Sequence, residues 1–262
     1  MRLFDAHFHL IDPRFPLVPN DGYLPPPFTV ADYRARMRGA DLAGGAVVSG
    51  SFQAFDQTYL VAALAELGPG FVGVTQLPAA ASDEEILSLD NAGVRAVRFN
   101  VRRGGSESLA ALESFATRVH ELARWHVELY IDSRALPEVE ATLARLPAVS
   151  IDHLGLSRAG FPALLRLAEG GVRVKATGFS RGDLDVPRAL REIAAANPDA
   201  LMFGTDLPST RAPRAYEDAD LRLLCDALEP ALAEKALLGN ALAFYRVRAA
   251  AGIATRIQEG AT

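Results

Sequence analysis

Two histidines stand two residues apart near the start of the chain, in the stretch Asp-Ala-His-Phe-His-Leu over residues 5–10. In a β-strand, side chains two positions apart point to the same face. We therefore expect His7 and His9 side by side, with Phe8 pointing away. Two adjacent imidazoles can bind a metal ion or donate hydrogen bonds to a reacting oxygen. The chain has only 5 histidines, so the pair points to a site.

The other predicted strands also end in polar or ionisable residues. In chain order these are Ser49 and Ser51, Gln76, Arg98 and Asn100, Asp132, His153, Lys175 and Thr177, and Asp206. Core packing alone does not explain such endings, because a buried ionisable group needs a partner. If the strands are parallel, these side chains meet at one mouth and partner one another. For Lys175 we expect a buried ion pair.

Strand and helix patterns alternate along the whole chain. After the first strand, which leads into the histidine pair, we predict strands at residues 46–49, 71–76, 94–100, 128–132, 149–153, 172–177 and 201–206. The predicted helices are 29–41, 57–67, 83–91, 106–125, 137–146, 162–169 and 187–197, with 218–228 and 229–250 closing the chain. Residues 11–28 hold six prolines and predict a long irregular loop.

Eight strands alternating with helices in 262 residues predict one α/β domain over residues 1–262. The expected fold is a single (β/α)8 TIM barrel, regular or distorted, with extra C-terminal helices. An open doubly wound sheet is the alternative. It is disfavoured because no glycine-rich phosphate loop follows any predicted strand.

Composition narrows the class of function. A net charge of −5 argues against a nucleic-acid or anionic-membrane partner. The single cysteine, Cys225, excludes an internal disulfide and a thiolate metal cluster. The chain has neither a membrane-spanning apolar run nor a signal-peptide pattern, so we expect a cytoplasmic monomer or homodimer.

Three motifs carry a family resemblance. They are His-x-His after the first strand, Ser-Ile-Asp-His-Leu-Gly over residues 150–155, and Gly-Thr-Asp-Leu-Pro over residues 204–208. Together they resemble the amidohydrolase superfamily, and most of all its lactonase-like branch, which includes 2-pyrone-4,6-dicarboxylate lactonases. The resemblance runs from Leu3 to about Tyr245.

The resemblance also bears on whether the protein uses a metal ion. Metal-dependent members add a lysine on strand four or a histidine on strand five, where this chain has Arg98 and has Asp132 in the fifth-strand region. His120 and His126 are expected on the helix before strand five and its exit, away from the mouth. We therefore expect no cofactor. The alternative is one Zn²⁺ or Mn²⁺ held by His7, His9, His153 and Asp206.

The implied chemistry is hydrolysis of a small carboxylated lactone. Asp206 would act as the general base for water, and His7, His9 and His153 would donate hydrogen bonds to the oxyanion. An anionic substrate is expected because arginines bind carboxylates well. The residues expected to bind it are Arg98, Arg103, Arg181, Arg211 and Ser51, with the choice between Arg102 and Arg103 open. A Zn- or Mn-dependent amidohydrolase or decarboxylase, and a non-catalytic carboxylate-binding barrel, remain as alternatives.

Overall fold

The barrel is built from one parallel sheet in which each strand pairs with the next in chain order. A computed structural model of the protein describes residues 1–247. The strands are β1 (Arg2–Phe8), β2 (Asp41–Val48), β3 (Phe71–Thr75), β4 (Val94–Phe99), β5 (His126–Leu129), β6 (Val149–Ile151), β7 (Arg173–Ala176) and β8 (Leu201–Phe203). Near the end strands, the Asp206 N–H donates to the His7 carbonyl at 2.7 Å. The sheet is thus a nearly closed barrel, which confirms the predicted (β/α)8 fold.

Helices follow the strands and cover the outside of the barrel. They are α1 (Val30–Arg36), α2 (Thr58–Leu67), α3 (Asp83–Asn91), α4 (Leu112–Ala123), α5 (Leu136–Leu143), α6 (Phe161–Glu169), α7 (Val186–Ala196), α8 (Asp218–Ala227), α9 (Pro230–Glu234) and α10 (Asn240–Phe244). A π-helical turn, Lys235–Gly239, joins the last two helices. The predicted extra C-terminal helices are present, although residues 248–250 of that prediction lie outside the described residues. Within residues 1–247, none of the helices has the length and apolar character needed to cross a membrane.

Two apolar clusters hold the barrel together. The larger lies between the strands and the helices, and the smaller fills the barrel interior around Phe4, Ala6 and Met202. Tyr245, which follows α10, is fully buried in the interior cluster. Its ring stacks on Phe4 with centroids 5.5 Å apart. The C-terminal helices therefore supply a side chain to the inside of the barrel.

Strand β2 begins earlier than the predicted strand at 46–49 and includes two glycines. Helix α1 stops at Arg36, and both Gly44 and Gly45 lie within β2. A Cβ atom at Gly44 would lie 2.0 Å from the carbonyl oxygen of Gly70. These glycines permit close approach of two backbones.

The predicted bounds of strand five are also wrong. Helix α4 ends at Ala123, and Arg124 turns the chain with a left-handed φ of 58°. Because the turn comes early, β5 begins at His126, which is buried in the strand and is not a helix-exit residue. Asp132 lies beyond the strand, where it caps a 3₁₀ turn and pairs with Arg134 at 2.7 Å.

Candidate active site

A bulge in β1 directs the histidine pair into the barrel. Between Asp5 and Phe8 the strand advances three residues while β2 advances two, and such an extra residue re-aims the side chains beside it. The Nε2 atoms of His7 and His9 lie 3.3 Å apart. Phe8 points outward and stacks on Tyr33 with ring centroids 3.8 Å apart. The predicted arrangement of these three side chains is confirmed.

Asp206, just after β8, faces both histidines. Its Oδ1 atom lies 3.9 Å from the Nε2 of His7 and 3.9 Å from the Nε2 of His9. That oxygen is buried and has no hydrogen-bond partner among residues 1–247. Oδ2 accepts a 2.6 Å hydrogen bond from Arg181 Nε. Burial raises the pKa of Asp206 above its ordinary value, and the Arg181 guanidinium offsets only part of that rise.

His153 completes the group from the end of β6. Its ring centroid lies 4.9 Å from that of His7, and its Nδ1 lies 2.6 Å from Thr177 Oγ1. The backbone at His153 and at Asp206 is left-handed, with φ of 52° and 60°. Such conformations cost about 1–3 kcal/mol each and tend to cluster at functional sites.

The three histidines are neutral at neutral pH. Burial lowers the pKa of His7, and the nearby Lys175 ammonium lowers it further. Burial and Arg98 lower the pKa of His9 to about 3. Burial and Arg181 lower the pKa of His153. Each neutral ring therefore carries a single N–H, so one ring nitrogen donates a hydrogen bond and the other accepts one.

A cleft that is open to solvent, with about 410 Å³ of space in and just above it, lies over these groups. The predicted substrate-binding residues that line it are Ser51, Arg98, Arg103, Arg181 and Arg211, together with His9, His153 and the unpredicted Tyr130. His7 and Asp206 are almost fully buried and lie against these lining residues. Arg102 lines only a second cleft outside this one. The structure thus brings the predicted residues together, while their roles in binding and catalysis stay predictions.

Arg98 is the most firmly held of the arginines. Its Nε and Nη2 atoms donate to Asp152 Oδ2 at 3.1 and 2.8 Å, and Nη1 donates to the Ser49 carbonyl at 2.9 Å. Both partners of the ion pair are buried. Burial alone would raise the pKa of Asp152, but Arg98 and Lys175 outweigh it and lower the pKa. Arg98 therefore holds the strand ends together as well as facing the cleft.

Two further arginines, Arg211 and Arg103, differ in the contacts that their guanidinium groups make. Arg211 donates to Asn20 and lies over the Tyr23 ring at 4.6 Å, so it holds the proline-rich loop across the cleft. Within residues 1–247 the Arg103 guanidinium has neither a hydrogen-bond nor an ion-pair partner. Among the arginines that line the cleft, Arg103 is thus the one most available to an incoming anion.

Sequence reasoning missed two acidic residues below the cleft. Glu128 and Asp152 are fully buried beside Lys175, whose ammonium pairs with Glu128 Oε2 and lies 3.7 Å from Asp152 Oδ1. The other Glu128 oxygen accepts from Tyr245 at 2.6 Å and contacts His126 Nε2 at 3.1 Å. The predicted ion pair of Lys175 is confirmed. A charged residue inside an apolar strand was the available signal for Glu128.

The family model described as amidohydrolase matches residues 4–247. The chain belongs to the amidohydrolase family. It is 28% identical over 232 residues to the 2-pyrone-4,6-dicarboxylate hydrolase of Comamonas testosteroni, covering 78% of this chain and 76% of that protein. It is 27% identical over 266 residues to the D-galactarolactone isomerase of Agrobacterium fabrum, covering 93% and 90%. The predicted resemblance to the lactonase-like branch is confirmed.

Solved structures support the fold of this amidohydrolase. A probable 2-pyrone-4,6-dicarboxylic acid hydrolase from Acinetobacter baumannii superposes with a TM-score of 0.82 at 20% identity, covering 94% of this chain and 100% of that one. A putative hydrolase of the same name from Pseudomonas putida gives a TM-score of 0.79 at 24% identity, covering 94% and 98%.

Many amidohydrolases use a metal, and three donor atoms of this one lie close together. His7 Nε2, His9 Nε2 and Asp206 Oδ1 lie 3.3 to 3.9 Å apart, close enough for one ion. A metal-bound imidazole donates its second N–H to an acceptor, as His9 Nδ1 does to the Val48 carbonyl. The Nδ1 of His7 instead faces the Lys175 ammonium, a donor, at 3.3 Å. An acceptor without a hydrogen-bond partner within residues 1–247, Asp152 Oδ1, also lies 3.5 Å from this Nδ1. The spacing therefore suits a metal, and the shorter contact of His7, to the ammonium, is the feature that does not.

Proposed function

We propose that this amidohydrolase opens a small carboxylated lactone by hydrolysis without a metal. The observation that carries the proposal is the buried Asp206 Oδ1, which has no hydrogen-bond partner within residues 1–247 and faces two imidazole nitrogens. The two relatives named above are a lactone hydrolase and a lactone isomerase, which supports a lactone as the substrate class.

Asp206 acts as the general base in this proposal. A water next to Asp206 Oδ1, the carboxylate oxygen that has no hydrogen-bond partner within residues 1–247, can donate to it. As the water oxygen attacks the lactone carbonyl, its proton moves to Asp206. A pKa raised by burial suits this task, because it brings the carboxylate closer to working pH.

His7 and His153 stabilise the oxyanion of the tetrahedral intermediate, with the substrate oxygen replacing His9 Nε2 as the acceptor of the His7 N–H. A neutral imidazole N–H directed at that oxygen lowers the barrier because it is already oriented and needs no reorganisation. The ring C–O bond then breaks, and the leaving oxygen takes the proton from Asp206. His9 departs from the predicted donor role, because the one N–H of its neutral ring is used by Val48.

The arginines set the charge of the substrate. Arg103 is available for a carboxylate. Arg181 donates from Nε to Asp206 and from Nη2 to the Thr210 carbonyl, so a substrate carboxylate would share this guanidinium with Asp206. A substrate carboxylate that draws Arg181 toward itself would uncover the base. This is consistent with a carboxylated lactone in preference to a neutral one.

Arg103→Met is expected to raise KM for the anionic lactone roughly tenfold to a hundredfold with little change in kcat, matching the loss of about 1.5–3 kcal/mol from charged hydrogen bonds. The matched control is Arg102→Met, since Arg102 is exposed and lines only the outer cleft. Steady-state kinetics on both variants checks the prediction. An equal or larger effect of the Arg102 change would contradict it.

The pH profile of kcat/KM should have one acidic limb. Protonation of Asp206 removes the base, so activity is lost as pH falls through a pKa above the ordinary value of 3.8. Above this acidic limb the profile should be flat to about pH 8, because the pKa of each site histidine lies below the usual value near 6.5. A second limb near 6.5 would show that a histidine titrates in the working range.

A lactone screen tests the whole proposal. Pyrone, muconate-type and sugar lactones, each with and without a carboxylate, are assayed before and after dialysis against EDTA. We expect a carboxylated lactone to be opened at the same rate after chelation. Carboxylate binding without turnover of any lactone would contradict the proposal and favour a binding barrel.

A Zn- or Mn-dependent amide hydrolase or decarboxylase is the second candidate, favoured by the spacing of His7, His9 and Asp206. Loss of activity in EDTA, with recovery on adding Zn²⁺ or Mn²⁺, would support it.

A further inference from the structure

A chain of buried contacts runs from the Val48 carbonyl through His9 and His7 to Lys175. Its Val48 end determines which ring nitrogen of His9 carries the proton. The Nδ1 of His9 lies 2.6 Å from the Val48 carbonyl oxygen, which can only accept. His9 is neutral because burial lowers its pKa to about 3. Its single proton is therefore on Nδ1, and its Nε2 carries a lone pair.

Both contacts of His7 then require the same tautomer. His7 Nε2 lies 3.3 Å from His9 Nε2, and a hydrogen bond between them needs one proton, which must come from His7. On the other side, His7 Nδ1 lies 3.3 Å from Lys175 Nζ, which donates and cannot accept. The carbonyl at one end and the ammonium at the other thus orient the whole chain in one direction.

Lys175 is held in place for this contact. It is fully buried, and its ammonium pairs with Glu128 Oε2. Tyr245 and His126 contact the other oxygen of Glu128, so they lie off the path to His7. A competing acceptor is present, since Asp152 Oδ1 lies 3.5 Å from His7 Nδ1 and has no hydrogen-bond partner within residues 1–247.

We propose that Lys175, held by Glu128, is a positioning residue that keeps the proton of His7 on Nε2. His7 is then a hydrogen-bond donor toward the cleft and a poor metal ligand, because the nitrogen that would bind an ion is already protonated. The catalytic part of this inference rests on the proposed metal-free hydrolysis. The tautomer itself does not depend on it.

The first test measures the unaltered protein and uses one variant only to assign signals. Nitrogen-15 NMR of the histidine-labelled full-length protein distinguishes protonated from unprotonated ring nitrogens, with His7→Gln used to assign the signals of His7. We expect a protonated Nε2 and an unprotonated Nδ1. A His7 protonated on Nδ1 overturns the proposal.

The second test removes both charges together, in Lys175→Met combined with Glu128→Gln, so that neither buried charge is left alone. With the donor gone, the proton of His7 should move to Nδ1 and bond Asp152. We then expect kcat on the lactone to fall roughly tenfold to a hundredfold with KM little changed, and Zn²⁺ affinity measured by calorimetry to rise about tenfold or more. A double variant that keeps the Nε2 proton on His7 overturns the assignment to Lys175.

Tyr245→Phe is the matched control, because it removes a hydrogen bond from the same Glu128 carboxylate without touching the Lys175 contact. It should leave the tautomer of His7 and the Zn²⁺ affinity unchanged. A tautomer change in this control would mean that general loosening of the barrel interior, and not Lys175, controls His7. If no lactone is hydrolysed but the tautomer responds as expected, the proposed function fails and the positioning role stands.

Discussion

Asp206→Asn should lower kcat by about 10² to 10⁴, the range that a positioned general base contributes. The amide keeps the size of the carboxylate and can still accept a hydrogen bond from Arg181, but it cannot take a proton from water. Stopped-assay kinetics at saturating lactone measures the loss. Product binding, followed by calorimetry, should persist because the cleft arginines are untouched, and the acidic limb of the pH profile should disappear.

Asp132→Asn is the matched control for that change. Asp132 lies at the rim of the outer cleft, pairs with Arg134, and should leave kcat unchanged when its charge is removed. Full activity of Asp206→Asn would end the role of Asp206 as base. A loss of product binding equal to the loss of kcat would instead indicate a structural role.

Arg98→Met should destabilise the folded protein by about 3–5 kcal/mol, because it leaves the carboxylate of Asp152 buried without its main partner. The Arg98–Asp152 pair is at most 2% exposed, so solvent cannot replace the lost guanidinium. Urea unfolding, with ΔG extrapolated to water, measures the change. Combining it with Asp152→Asn should recover part of the loss, since the unpaired charge is then removed as well.

Arg188→Met provides the surface comparison. Its pair with Glu192 lies along helix α7 and its side chain is 71% exposed, so the expected change is within about 0.5 kcal/mol. If Arg98→Met is as mild as this control and only raises KM, then Arg98 binds substrate and contributes little to the fold.

The sequence was enough to predict the barrel because the apolar strands and their spacing repeat eight times. The sequence also predicted that His7, His9, His153 and Asp206 lie together at one end of the barrel, since residues at the ends of parallel strands must meet there. The positions of local turns were harder to predict. The left-handed Arg124 moved strand five by two residues, and no feature of its side chain predicts that conformation.

The partners of buried charges could not be read from the sequence. Lys175 was expected to pair, but its partner Glu128 lies 47 residues away, on a strand two positions removed in the sheet. Such pairing depends on which face each strand turns inward, and a bulge like that in β1 changes the face locally. The direction of the hydrogen bonds through His7 followed only from the three-dimensional arrangement.

Because Tyr245 contacts residues that are made much earlier, the surroundings of the site are completed late in synthesis of the chain. Its hydroxyl contacts the Ala6 carbonyl, 239 residues earlier, and bonds the carboxylate that holds Lys175. Contacts this distant in sequence make folding slow, because almost the whole chain must be enclosed in one loop before they form. On the ribosome, His7 is made before α10, yet its surroundings are completed only by the residue that follows that helix. A nascent chain stopped before α10 would therefore lack the side chain that fills the barrel interior beside Phe4.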